Sequence, residues 1–132
     1  MAIEAQLRGL QAQGGAATLV GRWQNRLGSV MELEAEPGAQ ALRGTFRSGV
    51  GSPHPDRVYA LAGYAIGDAF AFAVDFSPHG SVGAWSGHHV ADERGERLVS
   101  LWHLARPVQS AAGDGDVWGA ILAGADEFHR IG

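Results

Sequence analysis

From Ser29 onward the chain alternates between apolar and polar positions with a period of two, the spacing of a strand whose two faces meet different surroundings. In SVMELEAE, Met31 and Leu33 share one face and Glu32 and Glu34 the other. In ALRGTFRS, Leu42, Gly44, Phe46 and Ser48 oppose Arg43, Thr45 and Arg47, and in AFAFAVDF, Phe70, Phe72, Val74 and Phe76 oppose Ala71, Ala73 and Asp75. Turn-forming clusters separate the runs: EPGAQ at 36–40, GSPHPD at 51–56, SPHGS at 77–81, ADERGE at 91–96 and AAGDGD at 111–116. Strands are thus expected around residues 23, 31, 45, 60, 73, 85, 101 and 123. Eight strands on short connections predict an all-β fold, an antiparallel up-and-down barrel in preference to a sandwich, because closure removes exposed strand edges.

Residues 1–18, rich in Ala, Gln and Gly, read as a weakly structured N-terminal arm, which leaves 19–132 for the barrel. Two later runs depart from simple alternation. RLVSLWHLA carries Leu98, Ser100, Trp102 and Leu104 on one face and Val99, Leu101 and His103 on the other. WGAILAGADEF, read as the last strand, is likewise apolar on both faces. A barrel strand apolar on its outside needs a cover, and the expected cover is another subunit.

A chain of 132 residues with 45% hydrophobic residues makes one domain with a real core. The formal charge of −4, with Lys and Arg dispersed, excludes the basic footprint of a nucleic-acid or anionic-membrane binder. Cysteine is absent, so thiolate catalysis, thiolate metal ligation and disulfides are excluded. The N-terminus lacks the apolar stretch of a signal peptide, and no run approaches the roughly 20 apolar residues of a membrane helix, so the chain reads as soluble.

One inward register per strand gathers Asn25, Ser29, Ser48, Ser81, Ser100 and Asp126 beside Phe46, Phe76, Trp85 and Trp102. Unmet polar groups in a dry core are unfavourable by roughly 1–3 kcal/mol each, so this set reads as a small-ligand box with aromatic walls. Singly, each serine also fits a backbone contact and each tryptophan plain core. Asp126 is different, since a carboxylate among aromatics must find donors. The six histidines, His54, His79, His88, His89, His103 and His129, show no helical i, i+4 pair of the kind that binds a metal, and GAWSG lacks the strand-to-helix context of a nucleophile elbow. Neither an enzyme nor a metal or cofactor site is expected. A lipocalin-like barrel for another small apolar ligand is the alternative, and it calls for less polar chemistry at the closed end.

The segments GRWQNRLGS, GTFRSGVG, FAVDF, VGAWSG, LWHL, VWGAILAG and GADEF, in this order and at these spacings, resemble the avidin and streptavidin family of biotin-binding barrels from about Gly21 to Phe128. The resemblance implies non-catalytic biotin binding. It makes Asn25 and Ser29 donors to the ureido oxygen of biotin, and Ser48 and Asp126 acceptors for its two N–H groups, a division that suits the donor and acceptor character of each. It places Gly51 and Ser52 in a loop over the valeryl tail, and Ser81 as a donor to the tail carboxylate. The walls correspond to Leu27, Val50, Phe76, Trp85, Trp102 and Leu104. Trp118 matches a tryptophan inserted into a neighbouring subunit's pocket, implying a homo-oligomer, a tetramer or at least a dimer. Three departures stand out: Phe46 where relatives carry a tyrosine hydroxyl as third donor, Gly83 where a threonine lies near the biotin sulfur, and Phe76 in place of a tryptophan. Tight binding, weaker than in the strongest relatives, is therefore expected. The family also implies a secreted or periplasmic protein, and the loops bearing His54 and His79 flank the pocket mouth by the same alignment.

Overall fold

The computed structural model describes residues 2–7, 14–49, 57–108 and 114–132. Eight antiparallel strands close into a barrel in sequence order: β1 (Gly21–Asn25), β2 (Val30–Glu34), β3 (Ala41–Arg47), β4 (Val58–Ile66), β5 (Ala69–Phe76), β6 (Ser81–Asp92), β7 (Gly95–Ala105) and β8 (Ile121–Arg130). Every expected strand centre falls within one of them. β1 completes the ring against β8 through Trp23 opposite Arg130 and Asn25 opposite Phe128. The period-two pattern becomes burial: along β5 Phe70, Phe72 and Val74 are buried while Ala71, Ala73 and Asp75 are exposed.

One end of the barrel is filled. Trp23, Met31, Leu33, Leu42, Phe70, Leu98 and Phe128 are buried there, and the single-turn 3₁₀ segment Ala16–Leu19 packs into the same core. Ala16 and Leu19 are both fully buried, so the segment 16–18, read as part of the N-terminal arm, packs into the barrel core with Leu19. The short segment Ala-Ala-Thr-Leu has no periodicity to announce this. Its burial follows from the barrel end it plugs, where the Trp23 Nε1–H donates to the Leu19 carbonyl at 2.9 Å.

Ionic groups clamp that end. Arg130 donates through Nη1 and Nη2 to the carbonyls of Val20 and Thr18, each at 2.7 Å, and its guanidinium lies 4.3 Å from the centre of the Trp23 ring. Its Nε reaches Glu96 Oε2 at 2.5 Å, and His89 Nε2 lies 2.9 Å from Glu96 Oε1. Hydrogen bonds from Arg130 and then from His89 hold the Glu96 carboxyl below the usual carboxylate range.

The stretch read as the start of the last strand differs. Asp114–Gly119 forms a short helix, α1, and β8 begins only at Ile121. In Val117-Trp118-Gly119 the apolar spacing is too short to separate a helical turn from a strand.

Candidate functional site at the open end of the barrel

The opposite end is bounded by the β1–β2 turn, the end of β3, the start of β4, the β5–β6 turn and the start of β8. The β1–β2 turn explains the sequence Asn25-Arg-Leu-Gly-Ser29. Gly28 takes a φ of +87°, a conformation that suits glycine, and the Asn25 carbonyl accepts from the Gly28 N–H at 3.1 Å. Asn25 Oδ1 accepts from the N–H groups of Leu27 (3.1 Å) and Ser29 (2.9 Å). With Oδ1 occupied, the Asn25 amide is oriented: its Nδ2 donates to Asp126 Oδ2 at 3.1 Å, and one N–H is left for another partner.

Asp126 is half-buried, as is Asn25. Its other oxygen, Oδ1, accepts from the Glu127 N–H at 3.0 Å, so the donors that a carboxylate in this setting requires are present. Ser100, buried on β7, donates to the Asp126 carbonyl at 2.9 Å and secures the same residue from the neighbouring strand. Ser29 is buried, and its Oγ accepts from the Gly49 N–H at 3.0 Å, which leaves the hydroxyl hydrogen to donate. Ser48 follows β3 directly and is half-buried. Two donors and a carboxylate acceptor therefore converge from β1, the β1–β2 turn and β8.

Aromatic rings form the wall beside them. Phe46 meets Phe76 edge-on, with ring centres 5.6 Å apart, and Trp85 at 5.3 Å, while Phe72 stacks on Trp85 at 5.5 Å. At Gly83 a Cβ would stand 3.0 Å from Phe76 Cε2 and 3.1 Å from Trp85 Cζ3, so these two rings occupy the room a side chain there would need. At Gly124 a Cβ would fall 2.5 Å from Trp102 Cζ2, and the missing side chain allows the half-buried Trp102 to lie across β8. Leu104 is half-buried at the same end of β7, and Ser81 starts β6 opposite Phe76.

The remaining sequence candidates separate. Leu27 is exposed at the tip of the β1–β2 turn and Trp118 is 73% exposed on α1, so neither encloses the lumen of its own chain. Val50, Gly51, Ser52 and His54 lie outside the described residues. His103 points outward, and no cluster of His, Asp and Glu suited to a metal occurs among the described residues.

Tyr59 carried no role in the sequence reading. It is buried on β4 beside Phe46, its ring meets Phe76 at 4.9 Å, and its hydroxyl lies 2.7 Å from His79 Nε2. The alternation in Val58-Tyr-Ala-Leu61 places Tyr59 on the face of Leu61 and was the available signal.

A model of the Avidin family matches residues 13–131. Similar solved structures include Xenavidin, 29% identical with a TM-score of 0.71 over 86% of this chain and 96% of that one. The biotin binding protein from chicken is 27% identical with a TM-score of 0.71, over 86% of this chain and 96% of that one. The rhizavidin–biotin complex is 25% identical with a TM-score of 0.67, over 84% of this chain and 98% of that one. No curated protein sequence matches.

Proposed function

The chain belongs to the avidin family, and on that footing we propose that it binds biotin inside its barrel without transforming it. The observation that carries this reading is the Asn25–Asp126 pair, held with buried Ser29 beside an aromatic wall. A ureido group offers one carbonyl and two N–H groups in a plane. The second Nδ2 hydrogen of Asn25 and the Ser29 hydroxyl suit the carbonyl, and Ser48 and Asp126 suit the N–H groups. Phe46, Phe76, Trp85, Trp102 and Leu104 then form the apolar walls around the ring system, with Ser81, Gly51 and Ser52 serving the tail.

Binding is tight yet weaker than in the strongest relatives, because Phe46 offers no third donor to the ureido oxygen and Gly83 no hydroxyl beside the sulfur. A lost neutral hydrogen bond is worth roughly 0.5–1.5 kcal/mol, so the deficit is graded rather than total. The protein assembles with copies of itself, most simply as a tetramer in which Trp118 enters a neighbour's pocket, with a dimer as the smaller assembly. The family resemblance favours a secreted or periplasmic location. A lipocalin-like preference for apolar ligands is not favoured, since such a ligand leaves Asn25, Ser29 and Asp126 without partners.

Calorimetric titration with biotin tests the assignment. Saturable heat at micromolar protein, accompanied by a stoichiometric change in tryptophan fluorescence, is the expected result. No heat at that concentration overturns the biotin reading.

A further inference from the structure

The outside of the barrel has two unlike halves. On β1–β3 the outward positions carry charges paired across strands, Arg22 with Glu32 at 3.3 Å and Arg43 with Glu34 at 3.6 Å. From β4 to β8 one cross-strand row reads Ala62, Ala73, Ala84, His103, Ala123, every member exposed. The next row toward the filled end reads Tyr64, Ala71, Ser86, Leu101, Ala125 and is exposed as well.

This half is large enough to be an interface. The outward residues of β6 from Val82 to Val90 span about 27 Å and five strands about 24 Å, so the face measures roughly 650 Å², close to the roughly 800 Å² that each partner gives to a standard interface. Apart from histidines its ionisable groups are Asp75, Asp92, Arg97 and Glu127, and Arg97 pairs with both Asp92 (2.9 Å) and Glu127 (3.2 Å). A second copy of this chain therefore meets little like-charge repulsion here, and its alanine rows allow close approach, so it is the occupant that suits the face.

His103 interrupts the alanine row. Its neighbours on β6 and β8 are Ala84 and Ala123, and those along β7 are Leu101 and Ala105. The outward positions diagonal to it, Val82, Ser86, Ile121 and Ala125, hold no ionisable group. Beyond that ring stand Asp75 on β5, His88 on β6, Arg106 just after β7 and Glu127 on β8. Asp75 and Arg106 have opposite signs, Glu127 is held by Arg97, and His88 has its own carboxylate, Asp68, at 3.5 Å. A second copy thus covers an imidazole that has no acid beside it on its own chain. Histidine is the side chain whose charge changes between pH 5 and 8, and burial disfavours its charged form. Assembled chains then bind fewer protons than free ones, so association is full above the histidine range and weakens as pH falls through it.

We propose that the outer face of β4–β8 is a proton-sensitive contact between copies of this chain, with His103 as the group that loosens it on acidification. This rests on the self-assembly reading above and adds its regulation. A histidine that must be neutral to be covered weakens association at pH 5 by about 30-fold, and the two that a two-fold contact brings in by up to about 10³-fold.

Sedimentation velocity over a dilution series at pH 8 and pH 5 tests this on the wild-type chain, His103→Gln and His103→Arg, with far-ultraviolet circular dichroism recorded alongside. Wild type is expected to dissociate to a smaller assembly at pH 5 with its dichroism unchanged. His103→Gln keeps the pH 8 assembly at pH 5, and His103→Arg shows the smaller assembly already at pH 8. Wild-type association of equal strength at both pH values overturns the proposal, as does acid dissociation that persists in His103→Gln or that comes with loss of dichroism. Each of those results leaves self-assembly standing. A single-chain mass for wild type at pH 8 overturns the assembly reading and this inference with it.

Discussion

Asn25 and Asp126, 101 residues apart in sequence, meet across the closure of the barrel, amide nitrogen to carboxylate at 3.1 Å. The amide cannot turn over, because its oxygen already takes two backbone N–H groups. Replacing Asn25 by Asp keeps that oxygen in place but sets a second carboxylate against Asp126. Like charges at this distance destabilise the fold in the pH range where both are ionised. Asn25→Asp is therefore expected to lower the melting temperature at pH 7 by an amount equivalent to roughly 1–3 kcal/mol, and to approach wild type as pH falls toward 4 and one carboxylate takes up a proton. A penalty independent of pH would show that the two groups do not share one site.

Phe46 sits beside the same cradle, buried and without a polar atom. Phe46→Tyr is expected to tighten biotin binding about three- to tenfold, read as a slower off-rate. Asn25→Ala, expected to weaken biotin roughly 10- to 100-fold alone, should weaken it less in the Phe46→Tyr background, where another donor shares the ureido oxygen. Additive effects in this double-mutant cycle would mean that residues 25 and 46 do not serve one ligand atom.

How much of this could be read from the sequence divides along the range of the interactions. The strands and their inward faces are properties of neighbouring residues, since alternation in a run such as AFAFAVDF is itself the burial pattern. The polar cradle was equally visible, because one register per strand brings Asn25, Ser29 and Asp126 to the same side. The buried turn at Ala16–Leu19 was not, for it depends on a barrel end that exists only once the ring is closed. Neither was the partnership of Tyr59 with His79, which joins one strand to the turn after the next and has no local signature. Helix α1 escaped because three apolar residues do not define a period.

Gly83 offers an instructive substitution. A threonine here supplies the residue that the family resemblance implies, yet its Cβ would meet Phe76 and Trp85 at 3.0 and 3.1 Å. Gly83→Thr is therefore expected to push these rings aside and lower stability by about 1–3 kcal/mol, with no gain in biotin affinity. Thermal denaturation and the biotin off-rate check both parts. Combining it with Phe76→Ala, which vacates the space, should return part of the lost stability.

At the filled end, Arg130 ties the last strand to the carbonyls of Thr18 and Val20 and covers Trp23. Arg130→Ala is expected to destabilise the protein by about 2–3 kcal/mol and to expose the Ala16–Leu19 turn to proteolysis. It also removes the main cause that lowers the Glu96 pKa in the folded state. A depressed carboxyl pKa adds stability that is fully present above the unfolded value and is lost as pH falls through the folded one. Wild type should thus lose stability on acidification through the carboxylate range more steeply than Arg130→Ala or Glu96→Gln, as followed by denaturant midpoints at successive pH values. Parallel curves for the three proteins would show that Glu96 has no part in the acid response.

The outer face of the last strands bears on assembly. Val99, Leu101 and Ile121 are 43%, 59% and 42% exposed, and a groove of about 1220 Å³ runs past Val99, Leu101 and Ala125 toward Asn25 and Asp126. Trp118 stands clear of its own barrel at 73% exposure. Apolar surface of this extent on strands 7 and 8 is stable in water when a second copy covers it. Light scattering is expected to give a multiple of the 13.8 kDa chain mass, and Leu101→Asp to reduce it toward one chain while far-ultraviolet circular dichroism stays unchanged. Trp118→Ala is then expected to speed biotin release from the wild-type assembly but to have no effect in the Leu101→Asp background, where no neighbour supplies the indole. An equal effect in both backgrounds would place Trp118 on its own subunit's ligand, and a single-chain mass for the wild type would remove the assembly altogether.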